Sequence, residues 1–203
     1  MVWSRSAASA LVVVALAWAT GAAQGLRPQF GVGMGLTVPV GDYHATARGQ
    51  GFNTAWQGLA LMVLKPPSLP IGLRLDASYS ANSANEQLKG DLTSAVGQPS
   101  DEKTKLLGAS LNVTYPASSA ARVKPYVIGG IGLYHTTIST TIGASTTQES
   151  ATKLAWNLGG GVVYGVGGVV LFVEARYVNV AAVSGFPRTT FLPLAAGVRF
   201  GGR

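Results

Sequence analysis

Beyond residue 28 the sequence places an apolar side chain at almost every second position, and glycine, a small polar residue or a single charge between them. A repeat of two is the signature of an extended strand whose two faces meet different surroundings. Phe30, Val32, Met34, Leu36 and Val38 share one face, and Gly31, Gly33, Gly35 and Thr37 share the other. Ile71, Leu73, Leu75, Ala77 and Tyr79 alternate in the same way with Gly72, Arg74, Asp76, Ser78 and Ser80. Eight segments follow the rule, at residues 29–40, 54–64, 71–80, 104–115, 123–136, 153–164, 169–180 and 190–200. The second is the least clear, because Leu59, Leu61 and Val63 oppose Trp56, Gly58, Ala60 and Met62 and both faces are apolar.

The connections fall into two kinds. Residues 65–70, 116–121 and 165–168 are short and rich in Pro, Gly and Ser, whereas 41–53, 81–102, 137–152 and 181–189 are long and mostly polar. Long and short alternate strictly. That order predicts an all-β, antiparallel up-and-down sheet with every long loop at one end, and eight strands suffice to close it into a barrel. Residues 154–173 carry no charge and are long enough to span a bilayer as a helix. Six of them are glycines, each costing ~1 kcal/mol against alanine in a helix, so the stretch reads as two strands about a Gly-Val-Gly-Gly turn.

Composition decides which face looks outward. Only 11% of residues are charged, against roughly 25% in soluble domains. A soluble lipocalin-like carrier would put its oily face inside and clothe itself in serine, threonine and glycine with very little charge. A barrel with its oily face in lipid pairs every backbone group by closing, and small or polar residues then fit its narrow interior. Tyr115, Tyr126, Tyr164 and Phe200 near the short turns, and Trp56, Tyr79, Trp156 and Phe191 near the long loops, predict two aromatic girdles.

Residues 1–23 read as a cleavable signal peptide: Arg5, then an apolar stretch over residues 8–19, then Thr20-Gly21-Ala22-Ala23. The barrel domain is then residues 24–203. The absence of cysteine excludes a disulfide scaffold and a Cys-ligated zinc or redox site. The 15 basic residues are scattered singly, so the net charge of +7 forms no nucleic-acid stripe.

The segments PQFGVGMGLTVPVGDY (28–43), VKPYVIGGIGLY (123–134), WNLGGGVVYG (156–165), LFVEARY (171–177) and FLPLAAGVRF (191–200), in this order and spacing, resemble the small eight-stranded outer-membrane barrels of the OmpA/OmpX type. The resemblance covers essentially the whole of residues 24–203. It implies a Gram-negative-type outer membrane, periplasmic termini, contact with outer-membrane lipid and lipopolysaccharide, and a monomer. It also implies a last strand ending in an aromatic that the barrel-assembly machinery reads, a signal that Val198 and Phe200 match. The sequence departs from it in continuing to Gly201-Gly202-Arg203 and in carrying Ala195 where glycine is common.

Arg74, Asp76, Glu174 and Arg176 lie near the middle of their strands on the inward face, with Lys124 and Arg199 nearer the periplasmic end. An enclosed charge costs several kcal/mol unless paired, so these four are expected to form one internal cluster that plugs and stiffens the barrel. Gated ion passage through that cluster is the alternative use. Some barrels of this type are lipid A deacylases or palmitoyltransferases with Ser and His at the outer boundary. Here His135 and Ser139, and His44 beside Asp42, lack the spacing that brings a nucleophile to its base and orienting carboxylate. The sequence therefore points to no catalytic residue, cofactor or metal. The expected role is structural or surface-facing, serving envelope integrity, adhesion or defence through four external loops. A narrow ion channel and a soluble periplasmic carrier are the other readings.

Overall fold

The computed structural model describes residues 28–45, 51–67, 69–117 and 122–202. The expected signal peptide lies outside the described residues. Eight strands follow in chain order: β1 (Gln29–Pro39), β2 (Ala55–Leu64), β3 (Gly72–Ser83), β4 (Ser100–Pro116), β5 (Val123–Ile142), β6 (Ser145–Val166), β7 (Val169–Val180) and β8 (Thr189–Gly201). Each pairs antiparallel with its neighbours in sequence, and β8 returns to β1 (Phe30 opposite Phe200, Leu36 opposite Leu194) to close the barrel. Closure leaves the sheet no free edge, so the backbone is satisfied without water.

The oily face is outside. Leu73, Leu111, Val173 and Leu194 are 37%, 51%, 58% and 43% exposed, which removes the soluble-carrier reading. Among the described residues no helix is long and apolar enough to cross a membrane. The apolar run at 154–173 is instead β6 and β7, joined at Gly167 and Gly168 with φ of +53° and +104°. Two successive positive φ values suit a tight hairpin turn, and glycine adopts them without steric cost.

Three sequence expectations need correction. Residues 137–152 are not a loop. They form the outer halves of β5 and β6, paired from His135–Thr152 to Ile142–Ser145 and turned at Gly143. At about 3.4 Å per residue, this hairpin carries the sheet roughly 25 Å beyond the barrel proper. Residues 81–102 also hold a helix, α1 (Glu86–Val96), which the loop reading overlooked. Its first turn is capped by the Asn85 side chain accepting from Leu88 N–H at 2.8 Å, and it ends at Gly97 with φ +72°. Finally, Tyr126 and Phe191 belong to no girdle: both point inward, 8% and 2% exposed. The outward aromatics are Trp56, Tyr79, Trp156 and Tyr177 toward the long-loop end, and Phe30, Tyr115, Tyr164 and Phe200 toward the short-turn end. Trp156 and Tyr177 sit 5.5 Å apart, centroid to centroid, on adjacent strands.

The sealed lumen as candidate functional site

The inward register of each strand fills the barrel with three groups of side chains. Leu59, Leu61, Val63, Phe172 and Ala195 form a buried apolar cluster at the level of the barrel's charges, with Val63 opposite Arg74, Leu61 opposite Asp76 and Ala195 opposite Glu174. The ambiguous second segment is thereby resolved: both faces of β2 are apolar because one faces outward and the other packs into this cluster. Interior glycines make room for the rings. A Cβ on Gly108 would stand 2.5 Å from the Tyr134 ring, one on Gly161 2.8 Å from Tyr126, and one on Gly197 2.7 Å from Phe172.

The second group is ionic. β3 brings in Arg74 and Asp76, and β7, on the opposite side of the barrel, brings in Glu174 and Arg176. Arg74 Nε meets Asp76 Oδ1 at 2.6 Å and Arg74 Nη1 meets Glu174 Oε2 at 2.6 Å. Arg176 Nη1 meets Asp76 Oδ2 and Arg176 Nε meets Glu174 Oε1, both at 2.8 Å. The structure thus brings all four named residues into one ring of alternating charge, with each arginine touching both carboxylates. Arg74 is 1% exposed and Glu174 3%. At that depth an isolated ion would cost several kcal/mol, and the ring leaves none isolated.

Neutral donors complete it. Asn112 donates to Asp76 Oδ2 at 2.9 Å and accepts from Asn157 at 2.8 Å, and the Tyr126 hydroxyl donates to Glu174 Oε2 at 2.6 Å. Sequence reasoning missed Tyr126, although its even register with Gly130 and Gly132 marks it as inward. Arg74 also lies over the Phe172 ring at 5.7 Å, joining the ionic ring to the apolar cluster beside it.

Above the ring is an apolar stopper of Tyr43, Phe52, Leu88, Leu106, Tyr134, Val178, Val180 and Phe191. Tyr43 comes from a 3-10 turn (Gly41–Tyr43) in the first outer loop, and Leu88 from α1, so loop and helix fold down into the outer mouth. Backbone bonds from Asn53 N–H to Ser83 O at 2.8 Å and from Asn85 N–H to Gly51 O at 2.7 Å hold them there. Burial pushes the Tyr43 hydroxyl well above the usual phenol range. At the same outer end the Lys153 ammonium donates to Pro187 O at 2.8 Å and Thr189 Oγ1 at 3.3 Å, tying the last loop to β6.

The remaining sequence candidates lie apart from this interior. His135 is exposed on β5 and its Nδ1 lies 3.1 Å from Thr152 Oγ1. Ser139 is four residues further along the same strand, about 13 Å away at strand spacing, too far for a nucleophile and base to meet. Among the described residues no three His, Cys, Asp or Glu side chains converge to hold a metal ion. Val198 and Phe200 lie on the outer face of β8, with Phe200 47% exposed.

The family model for the outer membrane protein beta-barrel domain matches residues 7–200. The chain belongs to this family. No curated protein matches the chain. Solved structures of other outer-membrane barrels share the fold. Neisserial surface protein A is 20% identical, with 87% of this chain and 96% of that one covered at a TM-score of 0.53. A major outer membrane protein from Thermus thermophilus is 13% identical, covering 88% and 100% at 0.63. Ail, the attachment invasion locus protein of Yersinia pestis, is 14% identical, covering 86% and 98% at 0.54. This outer-membrane barrel therefore resides in the outer membrane, with its oily face against lipid.

Proposed function

We propose that this outer-membrane barrel is a sealed, non-enzymatic surface platform rather than a conduit. It holds α1 and the β5–β6 arm outside the cell for a structural or contact role in envelope integrity, adhesion or defence. The observation that carries the reading is the blocked lumen: a neutralised ring of Arg74, Asp76, Glu174 and Arg176, flanked at its own level by Leu59, Leu61, Val63, Phe172 and Ala195, lies beneath an apolar stopper. Eight strands leave space for side chains and little else, so solute passage would require both the ring with its apolar flank and the stopper to move. The arm, by contrast, is long and solvent-exposed, with Thr, Ser and Gln predominating over residues 145–150.

In this reading residues 1–23 direct export and are removed. The assembly machinery recognises Val198 and Phe200 on the last strand, and the inserted chain works as a monomer among lipid and lipopolysaccharide. Two experiments test it. In planar bilayers the purified barrel gives no stepwise conductance, and steady ion current in the wild-type chain would favour a narrow channel instead. On cells, trimming residues 138–149 to a tight turn lowers surface attachment or serum survival without lowering the amount of barrel. Unchanged attachment and survival would remove the surface role.

A further inference from the structure

We propose that the periplasmic mouth of the barrel is a binding site for a phosphate-class anion, formed by Lys65, Arg122, Lys124 and Arg199. These four cations line one half-open cavity of about 540 Å³ at the short-turn end of the barrel. The strand register puts them there. Lys65 continues the inward series Leu59, Leu61, Val63; Lys124 precedes inward Tyr126; and Arg199 follows inward Ala195 and Gly197.

The distribution of carboxylates makes the site unusual. The chain has 8 acidic side chains. Asp42, Glu86, Asp91, Asp101, Glu102 and Glu149 stand at the outer end, and Asp76 and Glu174 are engaged in the central ring. None is left for the periplasmic mouth. Among the described residues, none of the four cations there has a carboxylate partner.

Arg199 supplies an independent sign of a missing ligand. It is 7% exposed, its guanidinium lies 6.0 Å from the Phe172 ring centroid, and its Nε has no hydrogen-bond acceptor. A buried donor without an acceptor is costly, and an oxyanion at the mouth supplies the acceptor that this Nε lacks. Burial, Arg199 and Lys124 together hold the Lys65 ammonium below its usual range, the mark of cations crowded without a counter-charge.

A phosphate group suits this donor set. It accepts bidentate contacts from guanidinium groups and point-charge contacts from lysines. A second opening of about 260 Å³ shares Lys65, Lys124 and Arg199 and adds the apolar wall of Leu69, Pro70 and Ile71. A phosphate carried on a larger body, whether a lipid headgroup or a soluble phosphorylated compound, fits this pair of openings.

The test uses the folded full-length barrel in zwitterionic detergent and phosphate-free buffer, titrated calorimetrically with inorganic pyrophosphate. Saturable, salt-sensitive binding is expected. The double substitution Lys65→Gln/Lys124→Gln removes two charge-assisted contacts and weakens it by about tenfold or more. Lys103→Gln/Lys105→Gln on the outer part of β4 leaves it unchanged. Both rim lysines are outside the packed interior, and heat-modified gel migration verifies that each variant is folded. Absence of saturable binding at millimolar pyrophosphate, or equal affinity in the Lys65/Lys124 variant, would overturn the proposal. Repeating the titration in nanodiscs assigns the source. If phosphatidylglycerol abolishes pyrophosphate binding that phosphatidylcholine permits, the site is taken by a lipid headgroup. If both lipids permit it, a soluble phosphate compound is the ligand.

Discussion

Replacing Glu174 with glutamine removes one charge from the ring and almost nothing from its volume. Glu174 meets Arg74 at 2.6 and 3.2 Å, Arg176 at 2.8 Å and the Tyr126 hydroxyl at 2.6 Å. After the change, two buried guanidinium groups share the single carboxylate of Asp76, and the interior carries one uncompensated positive charge. Breaking a buried pair in this way costs about 3–5 kcal/mol. For a chain of this size each kcal/mol moves the midpoint by roughly 2–4 °C, so the loss corresponds to about 6–20 °C. The assay is heat-modified migration of the detergent-folded barrel, with tryptophan fluorescence in urea as a second reading. The double variant Glu174→Gln/Arg176→Gln restores neutrality and is expected to lie closer to wild type than the sum of the two single variants. A loss below about 1 kcal/mol for Glu174→Gln, or strict additivity in the double, would refute the argument that charge compensation holds the lumen shut.

Three further substitutions probe other layers. Gly108→Ala puts a Cβ 2.5 Å from the Tyr134 ring and should destabilise the barrel by about 1–3 kcal/mol; adding Tyr134→Leu should recover most of it, as read by the same gel shift. Lys153→Met removes the ammonium bonded to Pro187 O and Thr189 Oγ1. Limited proteolysis should then cut within residues 181–188 faster while the strands remain protected, and an unchanged digestion rate would contradict that anchor. Phe200→Ala should lower the amount of barrel assembled in cells yet still refold in detergent, whereas equal assembly in cells would show that the machinery reads another feature.

The barrel could be read from the sequence because lipid and lumen impose opposite chemistries on alternate residues. The same parity placed Arg74, Asp76, Glu174 and Arg176 on one interior surface, and their mid-strand positions put them at one level. What escaped had different causes. Tyr126 and Phe191 were assigned by residue type and nearness to a strand end, although the register of each, with Gly130 and Gly132 or with Pro193 and Ala195, points inward. The β5–β6 arm was hidden because its β6 half is exposed on both faces and its β5 half is only partly buried. Without lipid on one side, nothing selects an apolar alternation, and Thr, Ser and Gln on both faces imitate a loop. Helix α1 had legible ends in Asn85 and Gly97, but only Leu88 and the partly buried Leu92 mark its inner face. One turn of apolar periodicity is too little to stand out within twenty-two mostly polar residues. The cations at the periplasmic mouth are far apart in sequence, and only closure of the barrel brings them together.

The absence of native cysteine permits the most direct measurement on the bilayer-facing surface, because any single introduced thiol is unique. Spin labels attached at Leu111→Cys and Ile131→Cys, in barrels reconstituted into bilayers, should be relaxed strongly by lipid-soluble oxygen and hardly at all by a water-soluble nickel chelate. Labels at the inward Ser110→Cys, one residue from Leu111, and the inward Ser78→Cys should escape the oxygen gradient of the hydrocarbon. If positions 111 and 131 proved open to the nickel reagent, or if neighbouring positions responded alike, the oily face would not be in lipid and the account would fail.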